Sequence, residues 1–366
     1  MVAVALVGLI TLGVGYHVHV VPGGTLLRGS PVSASGTPST VASTPTRTTA
    51  ARPARTPTGA RSATPSPSRA PTSGTSHSRS STSPTPGATT TAAPSRRARG
   101  FPLRPGPLPT VPPPTLEFVI STFNVLGASH TSPTGKDPGR ASGPVRAVRA
   151  AELIRRHGAD VIGFQELQRS QLLTLRRHTD LDFYPGLAFG DPENSIGWRR
   201  DEFVAVEEHT VRIPYFDGGR RSMPYVKLRS RGTGLEAWFA NFHNPAETAQ
   251  YHHQQPYRDD ATRIEIALAD QLITRTGLPV FVTGDMNERA SYFCRFTAGT
   301  PMVAARGGSN NGRCLAGHPR AVDWIFASQG VDVLDYVEDR SHLVDITTDH
   351  PVVVARVRIT GKPPAD

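Results

Sequence analysis

The first 115 residues of the chain contain no aspartate, glutamate or lysine, although they contain eleven arginines. Residues 116–366 instead hold 29 Lys or Arg and 30 Asp or Glu side chains, so the formal net charge of +10 comes from the N-terminal part. A strongly basic chain ordinarily indicates nucleic-acid binding. Here the charge is confined to a segment of different composition, and it predicts nothing about the substrate of the C-terminal part.

Residues 23–115 are also poor in large apolar side chains and rich in Ser, Thr, Pro, Ala and Gly. Such a composition cannot bury enough apolar surface to offset the entropy of an ordered chain. Its Ser-Pro and Pro-X-Pro steps favour extended, hydrated conformations. We therefore predict a disordered stalk, with a tail that serves only solubility as the alternative.

Residues 1–22 contain no formally charged side chain, and the apolar run Val2–Val21 is close to the ~20 residues that cross a bilayer as a helix. The Lys or Arg that precedes the apolar core of a signal peptide is missing, although a start site assigned too late would account for that. Arg28 follows the run, which disfavours export by the positive-inside rule. We expect a transmembrane anchor or signal segment and an extracellular or cell-surface protein held to the membrane by its N-terminus, with a cytoplasmic chain as the alternative.

Cysteine is nearly absent, since Cys294 and Cys314 are the two in the chain. In an exported protein, two cysteines this close in sequence favour one intrachain disulfide, and two free buried thiols are the alternative. There is no CxxC motif and no Cys/His cluster with zinc spacing, so a structural zinc site is not expected.

The C-terminal part also lacks a GxGxxG or GxxxxGK[ST] loop after any strand-like run, which argues against dinucleotide and NTP binding. Helical periodicity is clearest in "GPVRAVRAAELIRRHG", with Val145, Val148 and Ile154 on one stripe, and in "YRDDATRIEIALADQLITRTG". The strand-like runs follow one another as hairpins rather than alternating strictly with helices. This pattern predicts one α/β domain over residues 116–366, a four-layer α/β sandwich of two packed mixed β-sheets flanked by helices, and we expect a monomer.

Several polar side chains lie at or just beyond the ends of apolar strands, in "STFNVLG", "GFQEL", "WFANFHN", "VFVTGDMNE", "AVDWIF" and "TTDHPVVV". The side chains in question are Asn124, Glu166, His243, Asp285, Asn287, Asp323, Asp349 and His350. Strand ends on one rim of a sandwich converge in space. We therefore expect these groups to form one site.

This series of motifs resembles the endonuclease/exonuclease/phosphatase superfamily, with the deoxyribonuclease-I-like fold, over residues 116–359. "GDMN" and "TDHPVV" are its most specific pieces. The resemblance implies hydrolysis of a phosphodiester or phosphomonoester by in-line attack of water. It also implies a divalent cation, usually Mg²⁺, with Mn²⁺ or Ca²⁺ as alternatives.

A hard cation with oxygen ligands suits this chemistry, because it neutralises the charge that develops on an anionic phosphoester. By the resemblance, Glu166 is the first metal ligand and Asn124 supports the same metal. Asp349 is expected as a further ligand, either directly or through water.

Asp285 and Asn287 are two residues apart, so on an extended segment both side chains point to the same side. We expect one of them to activate or orient water and the other to hold a phosphoryl oxygen. His243 and His350 are the expected acid/base or phosphate-binding imidazoles, each of which needs a carboxylate to fix its tautomer and favour its charged form.

By the resemblance, Asp323 is the partner of His350, and Glu193 is the candidate partner of His243. Other histidines are expected in plain surface roles. The pair His252–His253 is interpreted as a solvated loop, with lining of the site as the alternative. Arg220, Arg221 and Lys227 are either contacts to phosphate or a charged strand edge that blocks aggregation.

The sequence favours an exported or surface-tethered nuclease with nucleic acid as its substrate. Some branches of the superfamily have asparagine where this chain has His243, which brings the chain nearer to the deoxyribonuclease and sphingomyelinase branches. A sphingomyelinase-like phosphodiesterase and an inositol-phosphate phosphatase remain alternatives. The first of these would need an apolar hairpin for membrane contact, for which "PYFDG" is the candidate. A binding module without catalysis is a remote alternative.

Overall fold

The computed structural model describes residues 112–361. The predicted anchor or signal segment and almost all of the predicted stalk therefore lie outside the described residues. Within residues 112–361, no helix is both long and apolar enough to cross a membrane.

Strands dominate the described part of the chain. In chain order they are β1 Thr115–Asn124, β2 Val161–Gln165, β3 Leu181–Tyr184, β4 Ile196–Arg199, β5 Phe203–Pro214, β6 Arg220–Ser230, β7 Glu236–His243, β8 Val280–Asp285, β9 Met302–Ala304, β10 Gly308–Ser309, β11 Leu315–Ala316, β12 Asp323–Ser328, β13 Asp332–Asp339 and β14 Val352–Thr360. The α-helices are α1 Gly143–His157, α2 Arg169–His178, α3 Gln255–Thr276, α4 Ala290–Gly299 and α5 His342–Asp345.

The long strands form two six-stranded sheets. One has the order β13-β14-β1-β2-β4-β3 and the other has the order β5-β6-β7-β8-β12-β9. Each sheet contains one parallel pair, β1–β2 or β7–β8, among antiparallel neighbours. Both sheets are therefore mixed, as the sequence predicted.

The sheets pack face to face through an aromatic core. The Phe118 and Phe281 rings lie 5.4 Å apart between their centroids, and Phe239 stacks on Phe281 at 5.1 Å. A second core lies between α1, α2 and the outer face of the first sheet, and a third lies between α3, α4 and the outer face of the second. These layers confirm the predicted four-layer α/β sandwich.

Helix α1 ends where the sequence predicted, and it buries the C-terminal part of the predicted stripe but not its N-terminal part. Gly158 follows it with a φ of +59°, a left-handed conformation that glycine adopts without strain. Val145 and Val148, expected on the buried stripe, are exposed. Ile154, the third residue of that stripe, is buried as predicted, and Ala147 is buried in place of the neighbouring valine.

A buried polar cluster joins the two sheets beneath one rim. Gln165 Nε2 donates to Asn241 Oδ1 at 2.7 Å, and Thr283 Oγ1 donates to the same oxygen at 3.2 Å. Gly163 lies against this cluster, and a Cβ there would approach Thr283 Oγ1 to 2.0 Å. The glycine therefore allows the ends of β2, β7 and β8 to come together in one place.

The two cysteines form a disulfide. Cys294 in α4 is bonded to Cys314, which precedes β11, with 5.8 Å between their Cα atoms. The bond fixes the loop that carries the small β10–β11 hairpin to α4.

Candidate active site

The predicted site residues meet on one rim because of strand pairing. Asn124 ends β1 and Glu166 directly follows the parallel strand β2. In the other sheet, Asp285 lies opposite His243 in the β7–β8 register and opposite Asp323 in the β8–β12 register. The packing of the two sheets then brings both sets of strand ends together.

The Asp285 carboxylate lies at the centre of the group and is buried. Its Oδ2 accepts a hydrogen bond from Asn124 Nδ2 at 3.1 Å, and it lies 3.6 Å from the Nε2 atoms of both His243 and His350. Its Oδ1 accepts from the backbone N–H of Asn287 at 2.9 Å. One carboxylate therefore faces two imidazoles, with an amide and a backbone N–H fixing its orientation.

His350 is held by the carboxylate that the resemblance implied. Both oxygens of Asp323 lie 3.0 Å from His350 Nδ1. Burial lowers the pKa of His350, but the charges of Asp323, Asp285 and Asp349 and the hydrogen bond to Asp323 outweigh it, so the pKa lies well above its ordinary value. Burial raises the pKa of Asp323, which His350 partly offsets. The pair keeps His350 charged at neutral pH, with Nε2 directed at Asp285.

His243 has a different partner from the one offered by the sequence. Its Nδ1 lies 3.5 Å from the hydroxyl of Tyr215, whose ring packs edge-on against it. Glu193 instead accepts from Gln168 Nε2 at 2.9 Å and pairs with Arg221. The Glu193 assignment is therefore wrong, because the hairpin between β5 and β6 brings Tyr215 to the imidazole first.

Glu166 is an anion held by several donors at the start of a loop. Its φ of +58° turns the side chain off the strand axis. Asn124 Nδ2 donates to its Oε1 at 3.2 Å, while Gly127 N and His130 Nε2 lie 2.8 and 3.0 Å from its Oε2. Burial raises the pKa of Glu166, but His130, the charge of His243 and the Gly127 N–H together hold it far below its usual range.

Asp349 lies apart from the other predicted metal ligands. It is exposed, and Lys136 Nζ contacts its Oδ2 at 3.3 Å. It lines two shallow surface pockets beside His350, of about 150 and 340 Å³, and not the cavity that contains Glu166. The structure therefore brings Asn124 and Glu166 together but leaves Asp349 on the outer side of His350.

The convergent groups line a cavity of about 330 Å³. Its lining comprises Ser129, His130, Lys136, Glu166, Gln168, Glu193, Tyr215, Phe216, Arg221, His243, Ala246, Thr248, Asp285, Asn287 and His350. A larger cavity of about 560 Å³ opens beside β3, β4 and β5 and contains none of these side chains. The chemistry of the lining, rather than volume, identifies the smaller cavity as the candidate site.

The basic side chains left open by the sequence separate into two groups. Arg221 lines the cavity, where its guanidinium lies over the Tyr215 ring at 4.9 Å and pairs with Asp191 at 3.0 Å. Lys227 pairs with Glu207 on the sheet, away from the site. Arg220, His252 and His253 are exposed and do not line the cavity.

Two residues of the loop after β1 belong to the site although no motif singled them out. His130 contacts Glu166, and Lys136 reaches Asp349 across the rim. Neither lies at a strand end, so the pattern that found the other residues could not find these. His130 lies in a short 3₁₀ turn, Ala128–Thr131, which lies against the site.

A fully buried arginine fixes the backbone behind the site. Arg146 donates to the carbonyl oxygens of Val125 at 2.6 Å and Thr347 at 3.1 Å, and so ties the end of β1 to the loop that precedes His350. Burial, followed by the charge of Arg140, lowers the pKa of Arg146 to about 10. The guanidinium stays charged at neutral pH and adds positive potential beneath the acidic cluster.

The acidic cluster fits a divalent cation. Glu166 and Asp285 share the single amide of Asn124, so two carboxylates meet with one neutral donor between them. Hard cations prefer such oxygen ligands. A second group of possible ligands is Asp285, Asp323 and His350, whose ligand atoms lie within 4.8 Å of one another. A cation bound to both Asp323 and His350 Nδ1 would break their hydrogen bond, so the Glu166 side fits better.

Comparison with known proteins gives a consistent result. Residues 121–350 match the model of the "Endonuclease/Exonuclease/phosphatase family". No curated protein sequence matches the chain. Three solved structures have a similar fold. Each is below 20% identical to this chain, so they show the fold alone.

The first is an endonuclease/exonuclease/phosphatase family protein from Bacteroides thetaiotaomicron. It is 18% identical with a TM-score of 0.52, and the match covers 67% of this chain and 99% of that one. The second is a mannosyl-6-phosphatase from the same organism, 19% identical with a TM-score of 0.51, covering 66% of this chain and 99% of that one. The third, from Bacteroides vulgatus, is 17% identical with a TM-score of 0.52, covering 66% of this chain and 98% of that one.

Proposed function

Because the chain belongs to the endonuclease/exonuclease/phosphatase family, and so to a family of phosphoester hydrolases, we propose that it is a divalent-metal-dependent phosphodiesterase that cleaves nucleic-acid backbones. One observation carries the proposal. Two imidazoles, those of His243 and His350, lie 3.6 Å from the same buried carboxylate oxygen of Asp285. This arrangement offers a base and two phosphate-binding or proton-donating groups within one cavity.

The residues divide the work of an in-line displacement. Asp285, held by Asn124 and the Asn287 backbone, orients a water and accepts its proton. His350, kept protonated by Asp323, donates a proton to the leaving oxygen. A divalent cation at Glu166 would neutralise the charge that develops on the phosphoryl oxygens.

A phosphodiester makes the proton donor important, because its leaving group is a poor alkoxide. His243 then has the task of binding a phosphoryl oxygen, and Tyr215 limits the rotation of its ring. The proposed location is extracellular or at the cell surface, which rests on the apolar run Val2–Val21 alone.

A phosphomonoesterase is the second candidate. One solved structure that shares the fold is a mannosyl-6-phosphatase. The cavity of about 330 Å³ is at the small end of ligand sites and suits a single sugar phosphate or inositol phosphate. Sphingomyelin remains a third substrate to test, because the hairpin tip next to the cavity carries Phe216.

The test is turnover by the purified full chain with Mg²⁺, Mn²⁺, Ca²⁺ or EDTA. The substrates are single-stranded DNA, RNA, sphingomyelin, inositol phosphates and mannose 6-phosphate. We expect metal-dependent cleavage of DNA or RNA, with Asp285→Ala and His350→Ala each lowering it by several orders of magnitude. His252→Ala, an exposed histidine outside the cavity, is the matched control. Release of phosphate from monoesters without cleavage of diesters would favour the second candidate, and activity that survives both active-site changes would mean that the site is misplaced.

A further inference from the structure

Two aromatic side chains stack on each other at the mouth of the cavity. Phe216 lies at the tip of the β5–β6 hairpin, and Tyr251 lies in the loop between β7 and α3. Their ring centroids are 4.3 Å apart and their planes differ by 7°. The ring centroids of Phe216 and Tyr215 are 4.5 Å apart, and the Tyr215 ring contacts His243. A run of rings thus leads from the protein surface to a proposed phosphate-binding imidazole.

The segments that carry these rings are tied together by a buried glutamine. Gln254 accepts a hydrogen bond from the Asp217 backbone N–H at 3.1 Å and donates to the Asp217 side chain at 3.0 Å. It also donates to the His252 carbonyl at 2.8 Å, so one side chain links the hairpin tip to the neighbouring loop. The ring pair is therefore held in place before any ligand binds.

The ring pair has surface left for a ligand. Phe216 and Tyr251 are both only half-buried. Phe216 lines the same cavity as His243 and Asp285, and Thr248 of the Tyr251 loop lines it as well. The loop is braced at that point, since the Tyr251 N–H donates to Thr248 Oγ1 at 2.9 Å. Each ring covers one face of the other, so the surface left for a ligand is the outer side of this stack, beside the phosphoester site.

We propose that Phe216 and Tyr251 form a stacking subsite for the nucleobase next to the scissile phosphate. The proposal rests on the proposed action on nucleic acid and extends it to substrate recognition. Every nucleobase has a planar face, and aromatic side chains bind such faces with little dependence on sequence. The Phe216 ring contacts Tyr215, and Tyr215 contacts His243, so the ring pair lies next to the proposed phosphate-binding imidazole. The subsite therefore favours single-stranded substrates, whose bases are free to stack.

The experiment compares binding of fluorescein-labelled oligothymidylate with that of an abasic strand of the same length. Binding is measured by fluorescence anisotropy on the full chain carrying His350→Ala, so that no turnover is required. We expect the base-bearing strand to bind about tenfold more tightly, which is the order that stacking on one aromatic supplies. Phe216→Leu and Tyr251→Leu, each added to this background, should bring the ratio close to one, whereas Tyr251→Phe should keep it.

Phe189→Leu is the control, because Phe189 is a 66% exposed aromatic that does not line the cavity. Thermal unfolding of each variant separates a loss of stacking from a loss of fold. The subsite is overturned if the His350→Ala protein binds both strands equally well. It is also overturned if the preference for the base-bearing strand survives both leucine changes. Loss of binding to sphingomyelin vesicles in Phe216→Leu, with oligonucleotide binding unchanged, overturns it as well and assigns the rings to a membrane.

Binding by the His350→Ala protein and cleavage by the unaltered chain together distinguish the stacking subsite from the proposed function. Base-dependent binding by the His350→Ala protein without DNA or RNA cleavage by the unaltered chain would contradict the proposed function and leave the subsite intact. Cleavage of nucleic acid with equal affinity for both strands would contradict only the subsite.

Discussion

Replacement of Asp323 by asparagine tests whether His350 works as a protonated imidazole. In the unaltered protein, His350 Nδ1 lies 3.0 Å from both carboxylate oxygens of Asp323. Asp323→Asn keeps the size of the side chain and one oxygen that can accept a hydrogen bond from Nδ1. It removes the negative charge on which the raised pKa of His350 largely depends. Asp285 still lies 3.6 Å from Nε2 and continues to favour the charged ring.

The size of the effect follows from the separation of the charges. Two unit charges about 4 Å apart interact by about 4 kcal/mol at an effective dielectric constant of about 20. At about 1.4 kcal/mol per unit, this corresponds to roughly three pKa units. Because the pKa of His350 is raised in the folded protein, the imidazole stays protonated until the pH exceeds this raised pKa. Asp323→Asn should lower the pKa, so His350 should lose its proton at a lower pH. General acid catalysis accelerates a reaction by about 10²–10⁴-fold. Loss of the protonated His350 at pH 8 should therefore lower kcat by up to about this factor.

The assay is the pH profile of kcat/KM between about pH 5 and pH 10, at saturating Mg²⁺. We expect the alkaline limb of Asp323→Asn to lie roughly one to three units below that of the unaltered protein, with much of the rate recovered at low pH. Asp335→Asn, an exposed aspartate on β13, is the matched control. An alkaline limb at the same pH, with full activity, would refute the argument that Asp323 keeps His350 charged.

Three further predictions concern the stability of the domain and its metal. Burial raises the pKa of Glu265 from 4.5 to about 7, so the free energy of unfolding falls by roughly 3 kcal/mol as the pH rises through that range. Glu265→Gln, which cannot ionise, should therefore raise the Tm at pH 8 and much less at pH 4.5. An equal rise at both pH values would contradict this. Replacing Cys294 and Cys314 by serine opens a loop of 20 residues and should cost roughly 3 kcal/mol in the free energy of unfolding, measured in urea; an unchanged midpoint would count against it. Glu166→Gln should raise the Mg²⁺ concentration for half-maximal activity at least tenfold, and an unchanged value would exclude Glu166 as a ligand.

The layers of the fold could be predicted because the buried strands are continuous apolar runs with polar residues at their ends. The sequence also indicated α1 and α3, whose glycine stops lie at the observed positions. Helix α4 was missed. Its sequence "ASYFCRFTAG" is aromatic and short, and its place is determined by packing of Phe293 and Phe296 on Phe326 and by the Cys294 disulfide. Such contacts join residues distant in sequence and leave no local pattern.

The site could be predicted where its residues lie at strand ends and not where they lie in loops. Asp285 and Asp323 are adjacent because antiparallel strands pair them, which follows from the strand assignment. His130 and Tyr215 reach the site from loops whose course depends on the whole domain. For the same reason the partner of His243 could not be deduced, since a tyrosine from a distant hairpin occupies the position expected for Glu193.

The distribution of charge at the cavity explains why the near-neutral domain is no obstacle to a phosphate substrate. The basic side chains that line it are already paired, Arg221 with Asp191 and Glu193, and Lys136 with Asp349. Because paired cations attract a distant anion only weakly, the electrostatic attraction of residues 116–366 for a phosphate is weak. Under the proposed function, binding of a phosphoester would depend on short-range groups: a cation at Glu166, the charged His350, and the proposed stacking surface. The net positive charge of the chain comes from the arginine-rich N-terminal segment, so it does not report on the substrate of residues 116–366.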